Sequence, residues 1–534
     1  MYAIDLFCGA GGFSEGILQA GFHIVFSSDR SAHVMETYMA RHEQLGLVQG
    51  RNTHFELADI RELHGFHIFN CINNLEVFQD HPINEIDAIF GGPPCQGFSR
   101  AGRRDRNDPR NMLFREYLRI IDEITPKYVV MENVAGFMDT RLDNFLGLRN
   151  TTYSDNTLVA DILQQELNLI GYKVLQPRIL DASDYGVPQR RHRAIFIAYR
   201  EDVTSPRYPE PTTPNEEQKV KVIEAIGDLV LNSDLREVVE ITNTNYINAS
   251  RNGRTPHFSH RRPIAATDMK NHDLASHSRS VQERFSLYRD GESTRTVENK
   301  VREQGLDLTN YPSLFWECVF SANKEANIQS LMQLLPRYYT GWNLLLEEDR
   351  TKLVKSTLRI LSQQYIKNTV EPNNREVNKT MLQIMKQLDL TEDIYKQFYG
   401  KWVESINKQH TPDSLSRQFI NGDVSDMLFR NLLTRKNSRI RLNRNSISPT
   451  MLTLPDDFIT PFENRILTVR EMARLQSFDD SFEFKGKRTT GGHLRREEVP
   501  QYTQVGNAVP PLLAKAIALE IKRALIGAGQ ELIT

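Results

Sequence analysis

The chain has 534 residues, 39% of them hydrophobic, which is enough for two or more domains with sizeable cores. Its formal net charge of −2 excludes a uniformly basic coat for nucleic acid, so local clusters must supply any such contacts. The cysteines Cys8, Cys71, Cys95 and Cys318 are too few for a disulfide scaffold, and their spacing predicts no metal site. Because there is no membrane-length apolar run and no signal-peptide pattern, we expect a cytoplasmic protein.

The chain opens with a predicted strand, Tyr2–Phe7, and a glycine-rich turn, Cys8–Gly12, that leads into a predicted helix from about Ser14 to Ala20. Such a turn favours a nucleotide-like cofactor. However, Ser14 stands at the third glycine position of the dinucleotide fingerprint, and no Gly-Lys-Ser/Thr follows. A glycine-rich turn without phosphate-binding features predicts a nucleoside cofactor that lacks phosphates, of which S-adenosylmethionine is the commonest.

An apolar run, Ile86–Phe90, predicts a buried strand, and the nine residues Gly91–Ser99 predict a tight loop at its carboxyl end. Open α/β sheets bind their ligands at that edge. The glycines let the backbone approach a ligand, and the prolines stiffen the turn. Cys95 is then presented in a fixed direction, which favours a nucleophile, although a small buried hydrophobe remains an alternative on this loop alone.

Further along the chain, short apolar runs alternate with helical stretches, as in a parallel sheet covered by helices. The predicted strands are Ile24–Phe26, Tyr128–Met131 and Ala194–Tyr199, and the predicted helices are Leu113–Ile124 and Val159–Ile170. Four prolines between residues 206 and 214 mark a linker or a domain edge. From about 310 to 430 the apolar residues recur at helical spacing, which predicts a compact helical insertion that contains every tryptophan of the chain.

Six blocks, in this order, resemble the cytosine-5 DNA methyltransferase family of bacterial restriction-modification or phage-defence type. They are Asp5–Gly12, Gly92–Ser99, Glu132–Val134, Gln189–Arg193, Arg465–Gln476 and Gln504–Pro511. The resemblance implies an α/β, Rossmann-like methyltransferase sheet that uses S-adenosylmethionine and is discontinuous, with a second, mixed and partly helical target-recognition domain. We therefore expect a catalytic domain over 1–205, a target-recognition region over 206–464 with the insertion at about 310–430, and a return to the catalytic domain over 465–534.

The resemblance also implies catalytic roles. Carbon 5 of cytosine is a weak nucleophile, and addition of the Cys95 thiolate to carbon 6 would activate it. Glu132, after the strand Tyr128–Met131, would hold ring nitrogen 3 and the exocyclic amine. Arg193 would bind the base carbonyl, and Arg191 would help to fix the catalytic loop, with a salt bridge at the sheet edge as the alternative for Arg191.

The resemblance assigns cofactor contacts less evenly. An adenine pocket would be lined by Phe7, and Gly9 and Gly11 would let the backbone pass the methionine moiety. Asp29, at the end of the second strand, would bind the ribose hydroxyls, and Asp59 with Ile60 would receive the adenine amino group. Pro94 and Asn507 complete the predicted set, and no metal is expected.

Duplex DNA is the expected partner, and its target cytosine must be extruded from the stack. Three basic clusters, at 100–110, 241–267 and 431–455, predict phosphate contacts, and the last two contain no acidic residue. The arginines expected at DNA are Arg100, Arg103, Arg104, Arg439, Arg441 and Arg444. Companion restriction or defence proteins and an association with the nucleoid are also expected. Two alternatives remain open: an RNA (tRNA) cytosine-5 methyltransferase and a catalytically silent DNA-binding relative.

Overall fold

The computed structural model of the chain describes residues 1–94, 112–230, 244–370, 374–434, 438–490, 494 and 497–527, and over 374–378 it describes the backbone only. The chain divides into two compact units. The first contains Met1–Leu274, Asn443–Pro455 and Leu467–Thr534, and the second contains Ala275–Leu442 and Asp456–Ile466. The chain therefore leaves the first unit and returns to it twice, which confirms the predicted discontinuity.

Among the described residues, eight strands form one sheet in the first unit, in the order β3-β2-β1-β4-β5-β10-β8, and β9 pairs with β10 beside this path. The strands are β1 (Tyr2–Leu6), β2 (His23–Asp29), β3 (His54–Leu57), β4 (Ala88–Gly91), β5 (Tyr128–Val134), β8 (Tyr172–Val174), β9 (Arg178–Asp181) and β10 (His192–Arg200). Two-residue strands β6 (Arg141–Leu142) and β7 (Thr157–Leu158) form a separate antiparallel pair.

The direction of the strands differs from the expectation at one side of the sheet. Strands β1 to β5 run parallel to one another, as predicted. Strand β10 runs antiparallel to β5, β8 and β9. Apolar runs predict where strands lie but not their direction, so this edge could not be read from periodicity. The mixed sheet places β10 directly beside β5, which the active site requires.

The described helices follow in chain order. Those of the first long segment are α1 (Gly12–Gln19), α2 (Ala32–Gln44), α3 (Gly65–Asn73), α4 (Leu113–Ile124), α5 (Val159–Leu169), α6 (Val222–Ile226) and α7 (Asn245–Asn252). Those of the second unit are α8 (Arg279–Ser286), α9 (Thr294–Gln304), α10 (Pro312–Ala322), α11 (Lys324–Leu334), α12 (Glu347–Val370), α13 (Asn374–Leu388), α14 (Glu392–Ser405), α15 (Pro412–Ile420) and α16 (Asp426–Leu432). The chain returns to the first unit with α17 (Val469–Leu475), α18 (Gln501–Asn507) and α19 (Pro511–Ile526).

Helices cover both faces of the large sheet because neighbouring strand residues point to opposite sides. Ile4 and Ile89 belong to the cluster that α3, α4 and α5 cover. Ala3 and Phe90 belong to the opposite cluster, which includes α1 and the carboxyl-terminal helix α19. Gly16 of α1 has no side chain, and a Cβ there would collide with α19. The last helix therefore packs directly on the first helix.

The domain boundary expected at residue 205 lies instead at Leu274 in terms of compact units. The reason is hydrophobic packing, since Tyr208 and Phe258 join the same cluster as Ile195 and Ile197 of β10. Residues 206–274 thus belong structurally to the first unit, and their part in target recognition stays a prediction.

The second unit is mainly helical and contains two hydrophobic clusters. One includes Phe285, Leu314, Phe419 and Leu432, and the other includes Trp402 with further side chains of α11 to α14. A short parallel pair, β11 (Ile440–Arg441) and β12 (Phe458–Ile459), completes it. In the described part of the chain, no helix combines the length and the apolar character needed to cross a membrane.

Candidate active site

The parallel strands β1, β2, β4 and β5 end at one edge of the sheet. Their register pairs Leu6 with both Ser28 and Gly91, and Gly91 with Met131. The residues that follow each strand therefore lie side by side at the edge where open α/β sheets bind ligands. The glycine-rich turn Cys8–Gly12, the residues Gly92–Pro94 of the proline loop and Glu132 all lie at this edge.

The turn after β1 is tightly folded. Phe7 and Gly9 have positive φ angles of 58° and 54°, and Gly11 has a φ of 98°. The N–H of Gly9 donates to Oδ2 of Asp29 at 3.0 Å, which ties the turn to the end of β2. A Cβ built on Gly9 meets no described atom within 4 Å, so this side of the turn is open. Phe7 is half-buried beside Tyr117, with ring centroids 6.5 Å apart.

Asp29 accepts a second backbone hydrogen bond, from Ser31 at 2.9 Å. Burial raises the pKa of Asp29, and the hydrogen bonds from Ser31 and Gly9 oppose that rise. The carboxyl group is thus held at the tip of β2 with lone pairs remaining for a hydroxyl donor.

After β3, Asp59 and Ile60 differ in accessibility. Arg61 donates to both oxygens of Asp59, at 2.9 and 2.6 Å, and these hydrogen bonds lower the pKa of Asp59 to about 2. Ile60 is 5% exposed and packs in the core under the sheet. A donor such as an adenine amine would therefore meet a charged Asp59 that already has one partner.

Glu132 and Arg193 form an ion pair across β5 and β10. The distance from Arg193 Nε to Glu132 Oε1 is 2.5 Å, and both side chains are 11% exposed. The antiparallel register pairs Arg193 with Val134 and Ile195 with Glu132, so the two charged residues are diagonal neighbours. Because β10 is antiparallel, its first residues reach the ligand-binding edge where β5 ends.

Gly92 and Pro93 of the proline loop lie against Glu132 and Asn133 of β5. Asn133 Nδ2 donates to the carbonyl of Pro93 at 3.1 Å, and a Cβ on Gly92 would lie 3.2 Å from Glu132 Oε2. The sequence had assigned Asn133 no role beyond its family block, and its amide holds the loop. Pro94 is half-buried, and Cys95 lies outside the described residues, as do Arg100, Arg103 and Arg104.

Arg191 is buried inside the first unit. It is 2% exposed and donates to the carbonyls of Met451 at 3.2 Å, Gly506 at 2.9 Å and Ala508 at 3.1 Å. These bonds hold the Gly-Asn-Ala turn around Asn507, whose side chain is exposed. These three hydrogen bonds of Arg191 hold the returning segment, and its expected role at the catalytic loop stays a prediction.

Two glutamines that the sequence analysis did not single out hold the same region. Gln189 Nε2 donates to Gln476 Oε1 at 3.0 Å, and Gln476 Nε2 donates to the carbonyl of Val505 at 2.8 Å. Both glutamines are fully buried. The sequence held one signal of this role, since the two glutamines belong to two separate family blocks. A buried amide needs a hydrogen-bond partner, and here each block provides a partner for the other.

The DNA contacts expected of Arg439 and Arg441 conflict with their positions in the second unit. Each is 6% exposed. Arg439 donates to the carbonyl of Asp456 at 3.1 Å, with its guanidinium 5.3 Å from the ring centre of Phe285. Five hydrogen bonds from Arg441 engage backbone and amide oxygens within the same unit. These guanidinium groups are structural, whereas Arg444 is half-buried in the first unit and stays a candidate.

The chain is similar in sequence to known cytosine-5 methyltransferases. The sequence profile of the C-5 cytosine-specific DNA methylases matches residues 1–337 and 343–523. The Type II methyltransferase M.DdeI of Desulfomicrobium norvegicum is 26% identical over 526 residues, 98% of this chain and 88% of that protein. M.FnuDI of Fusobacterium nucleatum is 33% identical over 230 residues, 43% of this chain and 56% of that protein.

A solved structure shares the fold. It belongs to an E. coli prophage protein described as a DNA modification methyltransferase, is 19% identical, covers 99% of this chain and 100% of its own, and has a TM-score of 0.52. The expected Rossmann-like fold is thereby confirmed. Since the family profile spans nearly the whole chain, the chain belongs to the C-5 cytosine-specific DNA methylase family and is a DNA cytosine-5 methyltransferase that uses S-adenosylmethionine.

Proposed function

We propose that the ligand edge of β1, β2, β4 and β5 binds a cytosine extruded from a specific duplex site, and that Cys95 forms a covalent bond to carbon 6 of this base. The supporting observation is the Glu132–Arg193 pair, which stands beside Gly92, three residues before Cys95. A carboxyl group and a guanidinium can together bind the amine, ring nitrogen and carbonyl of a cytosine edge.

The nucleophile begins the reaction. A free thiol has a pKa of roughly 8.5, so ionisation of Cys95 within the site is part of the proposal. Addition of the thiolate to carbon 6 moves electron density to carbon 5. Carbon 5 then takes the methyl group as the bond from the methyl carbon to the cofactor sulfur breaks, which leaves that sulfur as a neutral thioether. Loss of the proton from carbon 5 and expulsion of the Cys95 thiolate restore the aromatic ring and free the enzyme.

Glu132 and Arg193 manage the charge of the base. Protonation of ring nitrogen 3, held by Glu132, favours thiolate addition because it offsets the negative charge that enters the ring. Arg193 keeps Glu132 in place through its Nε, and its other N–H groups donate to the base carbonyl. Asn133 acts through Pro93, whose carbonyl it holds, and thereby positions the loop that carries Cys95.

The cofactor residues fit a nucleoside without phosphates. S-adenosylmethionine supplies the methyl group on a sulfonium. The open side of Gly9 lets the backbone approach it, and Asp29 and Asp59 offer carboxylates for the ribose and adenine donors. The remaining proposed contacts are Phe7, Gly11, Ile60, Pro94 and Asn507. The reaction itself uses no metal ion, because the nucleophile is a thiolate and Glu132 handles the proton.

The biological role is also a proposal. The relatives M.DdeI and M.FnuDI are Type II methyltransferases, which supports a modification enzyme paired with a restriction or defence protein. Such an enzyme works on chromosomal DNA, so we place it with the nucleoid in the cytoplasm. DNA backbone contacts are proposed for Arg100, Arg103, Arg104 and Arg444.

The test uses DNA in which 5-fluorocytosine replaces cytosine. Fluorine cannot leave carbon 5 as a proton does, so a true covalent intermediate accumulates and can be seen as a protein–DNA band. We expect the adduct with wild type and with Cys318→Ala, and none with Cys95→Ser, because a hydroxyl ionises far less readily than a thiol. Methylation by Cys95→Ser would remove Cys95 from the mechanism.

Glu132→Gln tests the second role in the same assay. The amide keeps the shape of the side chain but cannot pass a proton, so we expect a loss of roughly 100-fold in rate with DNA binding retained. Labelled tRNA serves as the other substrate arm, and its methylation in preference to duplex DNA would contradict the proposal. Bisulfite sequencing of host DNA with and without the gene identifies the target site.

A further inference from the structure

Four side chains of metal-binding type converge on the surface of the first unit, on the edge strand β3 and the helix α3. His54 and Glu56 are two residues apart on β3, and His67 and Cys71 are four residues apart on α3. Both spacings place a pair on one face of its element. None of the four belongs to the catalytic or cofactor residues proposed above.

Three of the ligand atoms surround the fourth, a carboxylate oxygen of Glu56. Glu56 Oε2 lies 3.4 Å from His54 Nε2, 2.8 Å from His67 Nε2 and 3.8 Å from Cys71 Sγ. Cys71 Sγ lies 3.5 Å from His67 Nε2. Ligand atoms of His54, Glu56 and Cys71 all lie within 4.8 Å of one another.

These separations are close to the edges of a tetrahedron around a metal ion. Zinc bonds of roughly 2.0 Å to nitrogen or oxygen and 2.3 Å to sulfur place neighbouring ligand atoms about 3.3 to 3.6 Å apart. Three of the four measured separations agree with this range to within a few tenths of an ångström. Of the four distances given, the one between His67 and Glu56 is the shortest, and this hydrogen bond must lengthen by about 0.5 Å on binding.

We propose that His54, Glu56, His67 and Cys71 form a structural zinc site. Two imidazoles, a thiol and a carboxylate suit Zn²⁺ and not the oxygen-binding ions Mg²⁺ and Ca²⁺. On binding, the Cys71 thiol releases its proton to solvent, and the bond between His67 and Glu56 is replaced by bonds from each to the ion. The histidines are 24% and 50% exposed at His54 and His67, so an ion can enter.

A surface hydrogen bond explains less of the arrangement. It accounts for His67 and Glu56, but it gives no reason for His54 and the Cys71 thiol to approach the same oxygen. A bound ion accounts for all four. It also explains the location, because the connection from β3 to α3 carries Asp59 and Ile60, and one ion would fasten both ends of that connection.

The test measures metal binding by the full chain. The protein is stripped with a chelator, checked by circular dichroism, and titrated with Zn²⁺ against a chromophoric chelator. We expect one equivalent at micromolar affinity or tighter. Titration with Co²⁺ should give the visible absorption of a tetrahedral ion together with a thiolate-to-cobalt charge-transfer band.

Variants separate this site from accidental binding. Cys71→Ser should remove the charge-transfer band, and Cys71→Ser and His67→Ala should each weaken Zn²⁺ binding by more than the roughly 10- to 100-fold that loss of an outer-shell partner costs. The matched controls Cys318→Ala and His81→Ala should retain one equivalent and the band. Absence of saturable binding at micromolar Zn²⁺, or unchanged binding by Cys71→Ser, would overturn the proposal. Neither outcome bears on the methylation mechanism, because the readouts are metal content and absorption.

Discussion

Asp5, in β1, is a buried carboxyl group at the start of the cofactor turn. It is 1% exposed, and Ser14 Oγ donates to its Oδ2 at 2.5 Å. Its Oδ1 has no hydrogen-bond partner among the described residues. Burial raises the pKa of Asp5 to about 7, and the nearby charge of Asp29 adds to the rise. The proton on Asp5 is therefore bound more tightly in the folded than in the unfolded chain.

The sign of the pH effect follows from this difference. Below the ordinary pKa of 3.8 both states are protonated, and between 3.8 and about 7 only the folded state keeps the proton. The free energy of unfolding therefore falls as pH rises through this window, by up to about 4 kcal/mol, and the penalty is constant above it. Asp5→Asn removes the titration and should flatten the fall.

The measurement is the Tm of wild type and of Asp5→Asn between about pH 4.5 and 8. This range covers most of the interval between the two pKa values and extends above it. We expect the variant to gain on wild type as pH rises. Any cost of the added amide hydrogens is the same at each pH, so the trend is the readout. Asp161→Asn, at an exposed position of α5, is the matched control. Parallel curves for wild type and Asp5→Asn would contradict the prediction.

Single residues show where reasoning from sequence succeeds and where it fails. Glu132 and Arg193 were predicted in one site because the family resemblance assigns both to the same cytosine base, and they are in contact. Arg439 and Arg441 were predicted at DNA because an acid-free basic stretch looks the same whether its guanidiniums face phosphates or carbonyls. The cluster around Glu56 could not be predicted, because only folding brings β3 and α3 together.

At the scale of elements, long periodic segments were predictable. Helix α4 has the predicted bounds, Leu113–Ile124, and its buried face includes Phe114, Tyr117 and Leu118. Strand β3 was missed because it has four residues, His54–Leu57, and two of them are polar. The direction of β10 was not predictable either, since it depends on which strand pairs with β5. The pairing of β10 is a tertiary interaction, which the local sequence does not encode.

Arg441, in β11, offers a test of one such element. A guanidinium has five N–H donors, and Arg441 has five acceptors: Phe285, Tyr288, Thr460, Glu463 and Asn464. Arg441→Ala leaves these oxygens without that donor, at a cost of about 1–3 kcal/mol for each buried one. We therefore expect the free energy of unfolding of the second unit to fall by about 3 kcal/mol or more.

Tryptophan fluorescence in denaturant reports on this unit alone, because Trp316, Trp342 and Trp402 all lie in it. Arg295→Ala, at an exposed position of α9 in the same unit, is the control and should change stability by less than about 0.5 kcal/mol. The salt dependence of DNA binding is the second readout. Its slope should be unchanged in Arg441→Ala, and a decrease of about 0.9 would restore Arg441 as a phosphate contact.

At the scale of the whole molecule, the insertion predicted over 310–430 crosses two different cores. Leu314, Cys318 and Phe419 pack with Phe285 and Val301 in one cluster. A second cluster contains residues from Phe320 to Trp402, including the buried Leu361 and Phe398. The helical stripes were recognisable in sequence, but stripes do not state which helices share a core. The separable part of the insertion is α11 to α14, and it is smaller than predicted.

The ends of this smaller part lie side by side. Asn323 Nδ2 donates to the carbonyl of His410 at 2.9 Å, and the N–H of His410 donates to Asn323 Oδ1 at 2.8 Å. A short glycine-serine linker can therefore join residue 323 to residue 410 without crossing the first cluster. Phe320 loses its cover in this deletion, so Phe320→Gln accompanies it. Removal of 310–430 is the comparison, because it takes Leu314 and Phe419 out of the first cluster.

We expect the 324–409 deletion to fold and to bind S-adenosylmethionine with the affinity of wild type, because every proposed cofactor contact lies in the first unit. The 310–430 deletion should expose hydrophobic surface and aggregate, since it removes buried side chains from a core whose remainder stays in the chain. Calorimetric binding of the cofactor and methylation of the identified site are then compared between the short deletion and wild type. Unchanged methylation and DNA affinity would assign α11 to α14 to a partner or to buttressing, whereas loss of site preference with cofactor binding retained would assign them to target recognition. Loss of cofactor binding in a folded 324–409 deletion would contradict the expectation that α11 to α14 take no part in binding S-adenosylmethionine.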